Sequence, residues 1–340
     1  MEKRITIKDI AKRAKVAPST VSRALSNSAE ISKKKREQLK ALAQTMGYKP
    51  SPLISAFASQ RRSGIASPIT TIAFVTSFPP SRRWDGIPFF RRCYVGLKRR
   101  ADQFGYTVEN FGLREQSMSA RRLNDVLYNR GIQALCFGPE MAVEPDCCFD
   151  WDRFSAISIC HSMVYPKLHR AIAHHFHSIT LALSKLREKG YQRIGFCVKN
   201  EAVEWTEGLW HAGMLYFLQQ YPEMQVEVLS VSEDDIMCVV DWCKTHKIEV
   251  LLEIYPEVHK ILHDSGLVAA GIDYATLDWN PENAGIAGIN QNAERIGEMA
   301  IDLVISMLKA GERGVPPLAT AVMSEVTWVD GPSLRRSSSV

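Results

Sequence analysis

Two stretches of this 340-residue sequence, and a scatter of aromatic residues, carry side chains that could do chemistry. VAPSTVSRAL, residues 16–25, sets Ser19, Thr20, Ser22 and Arg23 among apolar Val16, Val21 and Leu25. Small hydroxyls let a helix approach a polyanion closely and bond to phosphates or base edges, and an arginine adds a charged phosphate or base contact. Farther on, His161, His169, His174, His175 and His177 fall within 17 residues. HHFH could offer metal ligands, but no Cys or carboxylate stands beside it at a recognisable spacing, so no metal is expected. Phe78, Trp84, Phe89, Trp205, Trp210 and Trp279 suit sugar rings, and suit a core or an interface equally well.

Catalysis finds no foothold. There is no Gly-rich dinucleotide loop, P-loop, G-x-S-x-G elbow or H-E-x-x-H helix, so neither an enzyme nor a cofactor is expected. The eight cysteines include no C-x-x-C pair and read as buried free thiols. No run approaches the ~18 uncharged residues of a membrane span, and the basic N-terminus lacks a signal-peptide apolar core. A cytoplasmic protein without membrane contact is the expectation.

Charge divides the chain. Residues 1–64 hold 15 Lys/Arg against 4 Asp/Glu, while the other 276 hold 27 against 33, giving +11 and −6 within the total of +5. A basic head on a mildly acidic body points to a polyanionic partner for the head.

Periodicity supplies the elements that must position these residues. Ile7, Ile10, Ala11 and Ala14 give a helix over 6–14, with Thr6 and Asp9 in capping-box spacing. Pro18 suits the first turn of a second helix whose inner face is Val21, Ala24 and Leu25. Ser32 caps a third helix carrying Leu39, Leu42, Ala43 and Met46, and Gly47 ends it. Two short helices across a three-residue turn, then a third, is the helix-turn-helix layout, in which the second helix enters the DNA major groove.

The stretch ITIKDIAKRAKVAPSTVSRALSNSAEISKKKREQLKALAQTMGYKP resembles the headpiece of the lac-repressor (LacI/GalR) family without a gap over some 45 residues, through its T-V-S-R core and closing G-Y-x-P. The resemblance implies operator contacts at Thr6, Ser19, Thr20, Ser22 and Arg23, with Ala17 and Pro18 starting the recognition helix; Asn27, just beyond it, joins the DNA-binding set. Lys15 stands where the family usually has glycine, so a left-handed backbone there would cost ~1–2 kcal/mol. Ala17 replaces the usual hydroxyl cap, a loss of ~1 kcal/mol. In the hinge, SPLISAFASQRRSG, Phe57 takes the place of a leucine that wedges into the minor groove, with Arg61 and Arg62 following where phosphates would lie.

From Ile69 onward strand and helix alternate. ITTIAFVT, YTVENF, IQALCFG, FSAISIC, RIGFCV, QVEVLSV, EVLLEI and LVAAGID read as strands, and 88–104, 118–130, a segment ending at Lys189, 206–220, 233–246 and 291–310 as helices, before a final extended stretch at 319–329. This pattern implies parallel sheets covered on both faces. The family resemblance, weaker here, rests on KGYQRIGF, VAAGIDY and AGINQNAERIGEMAIDLVISML. It implies two α/β lobes like periplasmic sugar-binding proteins, dividing near 161 and crossed again near 288 and 320. The expected domains are a headpiece at 1–49, a hinge and linker at 50–67, a two-lobe ligand-binding and dimerisation domain at 68–333, and a disordered tail at 334–340.

A ligand would sit between the lobes at the strands' carboxyl ends. The family's ligand-binding arginine falls at Trp210, its Asn-Asp pair at Ile254-Tyr255, and its cleft-edge Asp-Asn pair at His174-His175. Asp273 in GIDY keeps its place as a hydrogen-bond acceptor. Phe78, Trp84, His175, Trp210, Tyr255 and Asp273 are the candidate ligand set. The function implied is a homodimeric, operator-binding regulator, by family habit a repressor, modulated by a sugar-like small molecule. A DNA-binding dimer that no longer senses a ligand, and a sugar-processing enzyme fused to a DNA-binding head, are the alternatives.

Overall fold

The computed structural model describes residues 7–25, 31–46, 71–77, 84–113, 119–138, 149–161, 163, 165–231 and 236–336. The chain divides into two compact units, Met1–Gly64 and Ile65–Val340.

The first unit contains helices α1 (Ile7–Ala14), α2 (Pro18–Leu25) and α3 (Lys33–Thr45). Helices of eight residues are too short to persist alone in water, so their packing must hold them. Ile10, Ala11, Val21, Ala24, Leu39 and Ala43 form that packed centre, flanked by half-buried Leu25, Leu42 and Met46. Between α1 and α2, Lys15 is left-handed at φ 53°. Ala17 stands at the cap of α2: its carbonyl accepts from the Thr20 amide at 2.9 Å, but it has no side-chain acceptor. Ser32 does cap α3, accepting from the Lys35 amide at 3.4 Å. Thr6 and Gly47 lie outside the described residues.

The second unit runs β1 (Thr71–Thr76), α4 (Pro88–Gln103), β2 (Thr107–Gly112), α5 (Ala120–Asn129), β3 (Ala134–Phe137), β4 (Ser155–Ile159) and β5 (His169–Ala173). There follow α6 (His175–Glu188), β6 (Arg193–Lys199), α7 (Asn200–Trp205), α8 (Leu209–Gln220), β7 (Gln225–Val231), α9 (Val239–Thr245), β8 (Val250–Glu253) and α10 (Pro256–Asp264). The chain closes with β9 (Asp273–Thr276), β10 (Ala287–Asn290), α11 (Ala293–Ala310), β11 (Ala321–Ser324) and β12 (Thr327–Val329). One sheet has the order β11-β5-β4-β3-β1-β2 and the other β12-β10-β9-β8-β6-β7. Pairing is parallel throughout, except between β10 and β12.

The two-residue period of a strand sends alternate side chains to opposite faces, and each sheet is buried on both. On β1, Ile72 and Phe74 join Leu97 of α4 and Ile301 of α11, while Ala73 and Val75 join Leu123 and Leu127 of α5. On β6, Ile194, Phe196 and Val198 meet Leu183 of α6 and Phe217 of α8, while Cys197 faces Val239 of α9 and Leu262 of α10. The six described cysteines are free; five are buried and Cys238 is exposed.

The chain passes between the lobes three times: between β5 and α6, between β10 and α11, and between β11 and β12. The first passage is at His174, not near 161, because β5 was not anticipated. HRAIA is short and opens with two polar residues, so its alternation is weak. Parallel ladders to β4 and β11 hold it in place, and His169 accepts from the Thr320 amide at 2.8 Å. Helix α10 was likewise unmarked. LVAAGID is not a strand: Gly266 and Gly271 have φ of 76° and 114°, and the strand begins at Asp273. Nor is all of the tail loose, for Leu334 is buried and Arg335 bonds to Asp273 through both its amide and its guanidinium.

Candidate functional site

In the first unit, α2 turns Val21 and Ala24 inward, which leaves Ala17, Pro18, Ser19 and Arg23 exposed and Thr20 half-buried. Hydroxyl and guanidinium therefore share the outer face of a helix whose inner face is fixed in the packed centre. Ser22 lies on this helix. Thr6, Asn27 and Phe57 lie outside the described residues.

In the second unit, the carboxyl edges of the two sheets face one another. Glu207, which follows α7, reaches His161 beyond β4 (Nδ1 to Oε2 3.1 Å) and Arg170 of β5 (3.4 Å). Arg92 of α4 clamps Glu294 with two bonds of 2.7 Å and donates to the Trp279 carbonyl at 2.9 Å and to Asn290 Oδ1 at 3.1 Å. Its neighbour Arg91 pairs with Glu282. Arg91 and Glu207 thus link the lobes by charge, and Arg92 links them through its bonds to the Trp279 carbonyl and Asn290.

Inside these links, several buried polar atoms lack partners among the described residues: both ring nitrogens of His175, His161 Nε2, Trp210 Nε1, Trp279 Nε1 and Asp278 Oδ1. A buried polar group without a hydrogen bond costs about 1–3 kcal/mol, so such a cluster is poised for an occupant that supplies the bonds. The His175 ring packs 5.3 Å edge-on from Trp210 and 5.8 Å from His161. Burial, reinforced by His161 and His174, pulls His175 down to about 3, so it is a neutral donor and acceptor. Burial likewise lowers His161, against the pull of Glu207. Asp278, just past β9, is pushed up to about 7: burial leads, Arg92 opposes, and Glu253 and Glu294 reinforce.

Beside this cluster Glu253, wholly buried at the end of β8, pairs with His259 of α10. Burial works against a charged His259, yet the Glu253 carboxylate holds it above its ordinary value. Lys199, ending β6, lies over the ring of Tyr255 at 4.3 Å. The edge therefore offers neutral imidazoles, indole N–H donors, a near-neutral carboxyl and one ammonium, a set that binds hydroxyl-rich molecules without demanding charge.

Of the sequence candidates, His175, Trp210 and Tyr255 stand at this edge. Trp84 packs into the first lobe's core, edge-on to Phe74 at 5.2 Å and Tyr94 at 4.9 Å. Phe78 lies outside the described residues. Asp273 does not lie at this edge. It begins β9, at the amino end, where it is buried and accepts from the Tyr191 hydroxyl and from Arg335. His161, noted in the sequence only as one of a histidine cluster, and Lys199, Glu253 and Asp278, which sequence reasoning missed, all end a strand or follow one closely, and that position is the signal that could have found them. No helix among the described residues is long and apolar enough to cross a membrane.

Comparison with known proteins agrees with this layout. The profile "Bacterial regulatory proteins, lacI family" matches residues 6–51. The HTH-type transcriptional regulator TreR of Salmonella typhimurium is 29% identical over 163 residues, covering 42% of this chain and 52% of the relative. The HTH-type regulator GalS of the same organism is 23% identical over 217 residues, covering 64% and 60%. The chain thus spans about half the length of the curated relatives it matches. The lac repressor dimer bound to operator and the anti-inducer ONPF shares the fold at a TM-score of 0.57 and 20% identity, over 96% of this chain and 98% of that one. The regulator CelR in complex with cellobiose does so at 0.59 and 15%, over 96% and 99%. Residues 6–51, the helix-turn-helix domain, thus match the lacI family of bacterial regulatory proteins, and the second unit shares the fold of solved regulators of that kind.

Proposed function

We propose that the chain is a sequence-specific DNA-binding transcriptional regulator, a repressor in its usual action, whose operator binding is set by a small molecule held between the two lobes. The observation that carries the ligand half is the cluster of unpartnered buried polar atoms on His161, His175, Trp210, Asp278 and Trp279. A carbohydrate or related metabolite fits it, because hydroxyls can both donate to imidazole nitrogens and accept from indoles. CelR, which shares the fold, is recorded with cellobiose, and this supports the class. The DNA half rests on the exposed Ser19 and Arg23 of α2 within a basic unit that matches the lacI family. A homodimer would set two such helices about one DNA turn, ~34 Å, apart, with residues 50–67 as the hinge. A ligand that prefers one lobe arrangement shifts operator affinity in the direction of that preference.

The test is enrichment of a random duplex pool on full-length protein near physiological salt, with and without a mixture of cell metabolites. One palindromic motif is expected, with Arg23→Ala failing to enrich it. No motif under either condition would overturn the proposal.

A further inference from the structure

Two imidazoles and a carboxylate meet where the chain passes between the lobes. His174 is the first passage itself, His177 stands in the first turn of α6, and Glu325 lies in the third passage, between β11 and β12. One ligand atom from each lies within 4.8 Å of the other two, and His177 Nδ1 is 3.9 Å from Glu325 Oε2. The HHFH stretch has no carboxylate near it in sequence. The fold brings one to it from about 150 residues further along the chain.

The backbones beneath this group are fixed. The His174 amide donates to the Ser324 carbonyl at 3.0 Å, Asn292 Nδ2 donates to the Glu325 carbonyl at 2.9 Å, and the adjoining residues Ala173 and Ser324 are register partners of β5 and β11. The side chains are open: that of His177 is 46% exposed and that of Glu325 73%. A tetrahedral ion with bonds of about 2.0–2.2 Å holds its ligand atoms about 3.3–3.5 Å apart. Side-chain rotation alone brings exposed groups that far inward.

We propose that His174, His177 and Glu325 form a three-ligand site for a divalent first-row transition ion, Zn2+ being the type, which ties the first interlobe passage to the third. Two imidazoles with one carboxylate suit Zn2+, whereas Ca2+ and Mg2+ require oxygen donors. The fourth position is left to water. His174 Nδ1 now accepts from the His177 amide at 3.2 Å and caps α6. An ion on Nδ1 takes that lone pair, and an ion on Nε2 moves the ring proton to Nδ1. Either way a metal bond replaces the helix cap, and the ion stiffens two of the three passages.

The experiment uses full-length protein without a histidine tag, stripped with chelator and titrated with Zn2+ against a chromophoric chelator. One ion per chain is expected, with micromolar or tighter affinity, and with Co2+ giving the visible absorption of a tetrahedral site. His177→Ala and Glu325→Ala, both at exposed positions, are expected to weaken binding at least tenfold while leaving the melting temperature of the metal-free protein unchanged. Amide exchange at 174–178 and 324–326 is expected to slow on adding Zn2+ in the wild type and not in Glu325→Ala. Equal Zn2+ affinity in the wild type and both variants, or no binding tighter than millimolar, would overturn the proposal. None of these readouts involves DNA or the interlobe ligand.

Discussion

Gly297 of α11 lies directly against the carbonyl of Cys93 on α4: a Cβ built on it would stand 1.9 Å from that oxygen. Gly96 returns the contact, its own Cβ position falling 1.9 Å from the Glu294 carbonyl. The two helices that cover one face of the first sheet therefore touch backbone to backbone, and this closeness brings Arg92 within reach of Glu294. Gly297→Ala is expected to force them apart at a cost of ~2–4 kcal/mol, read as a lower midpoint in urea unfolding. An unchanged midpoint would show that the pair can separate freely.

Lys15 makes the opposite case. It holds φ 53°, where a side chain is strained and glycine is not. Lys15→Gly is expected to raise the stability of the headpiece by about 1 kcal/mol, even after the added freedom of the unfolded chain. The measurement is the melting of the headpiece transition. A loss of stability would mean that the lysine side chain contributes more than its backbone costs.

Asp278 and His175 give stability a pH dependence of opposite signs. The folded Asp278 titrates near 7 and the unfolded carboxyl near 4, so the fold binds the extra proton between them. Stability from this group is complete below about pH 4 and is lost as pH rises through 7. The folded His175 titrates near 3 and the unfolded ring near 6.5, so its contribution is present above about pH 6.5 and is lost as pH falls toward 3. Unfolding free energies from urea titrations between pH 4 and 8 are expected to fall less on the alkaline side in Asp278→Asn, by on the order of 2 kcal/mol, and less on the acid side in His175→Gln. Parallel profiles for wild type and variants would remove both assignments.

Much of this architecture was legible because it is local. The headpiece helices follow from the spacing of Ile10, Ala11, Val21, Ala24, Leu39 and Ala43, and the left-handed turn from the residue that replaces glycine at 15. Most strands of the body were legible as apolar runs, since both faces of each sheet are buried. What failed was long-range. HRAIA becomes a strand only because β4 and β11 flank it. Reading LVAAGID as a strand put Asp273 at the wrong end of β9, although Gly266 and Gly271 mark turns there. That single register error hid Asp278, five residues on, while Lys199 and Glu253 passed unnoticed as strand ends and His161 was noted only for its neighbouring histidines. The pairing of Arg335 with Asp273 could not be read from a tail that looks disordered by composition.

The three passages also dictate an order of construction. The first lobe opens the body at β1, but its covering helix α11 and its edge strand β11 come only after β6 to β10 have been laid down. A chain emerging from the ribosome therefore holds β1 to β5 with one apolar face half clothed until residue 310 or so has been made. The lobe that is started first is finished almost last.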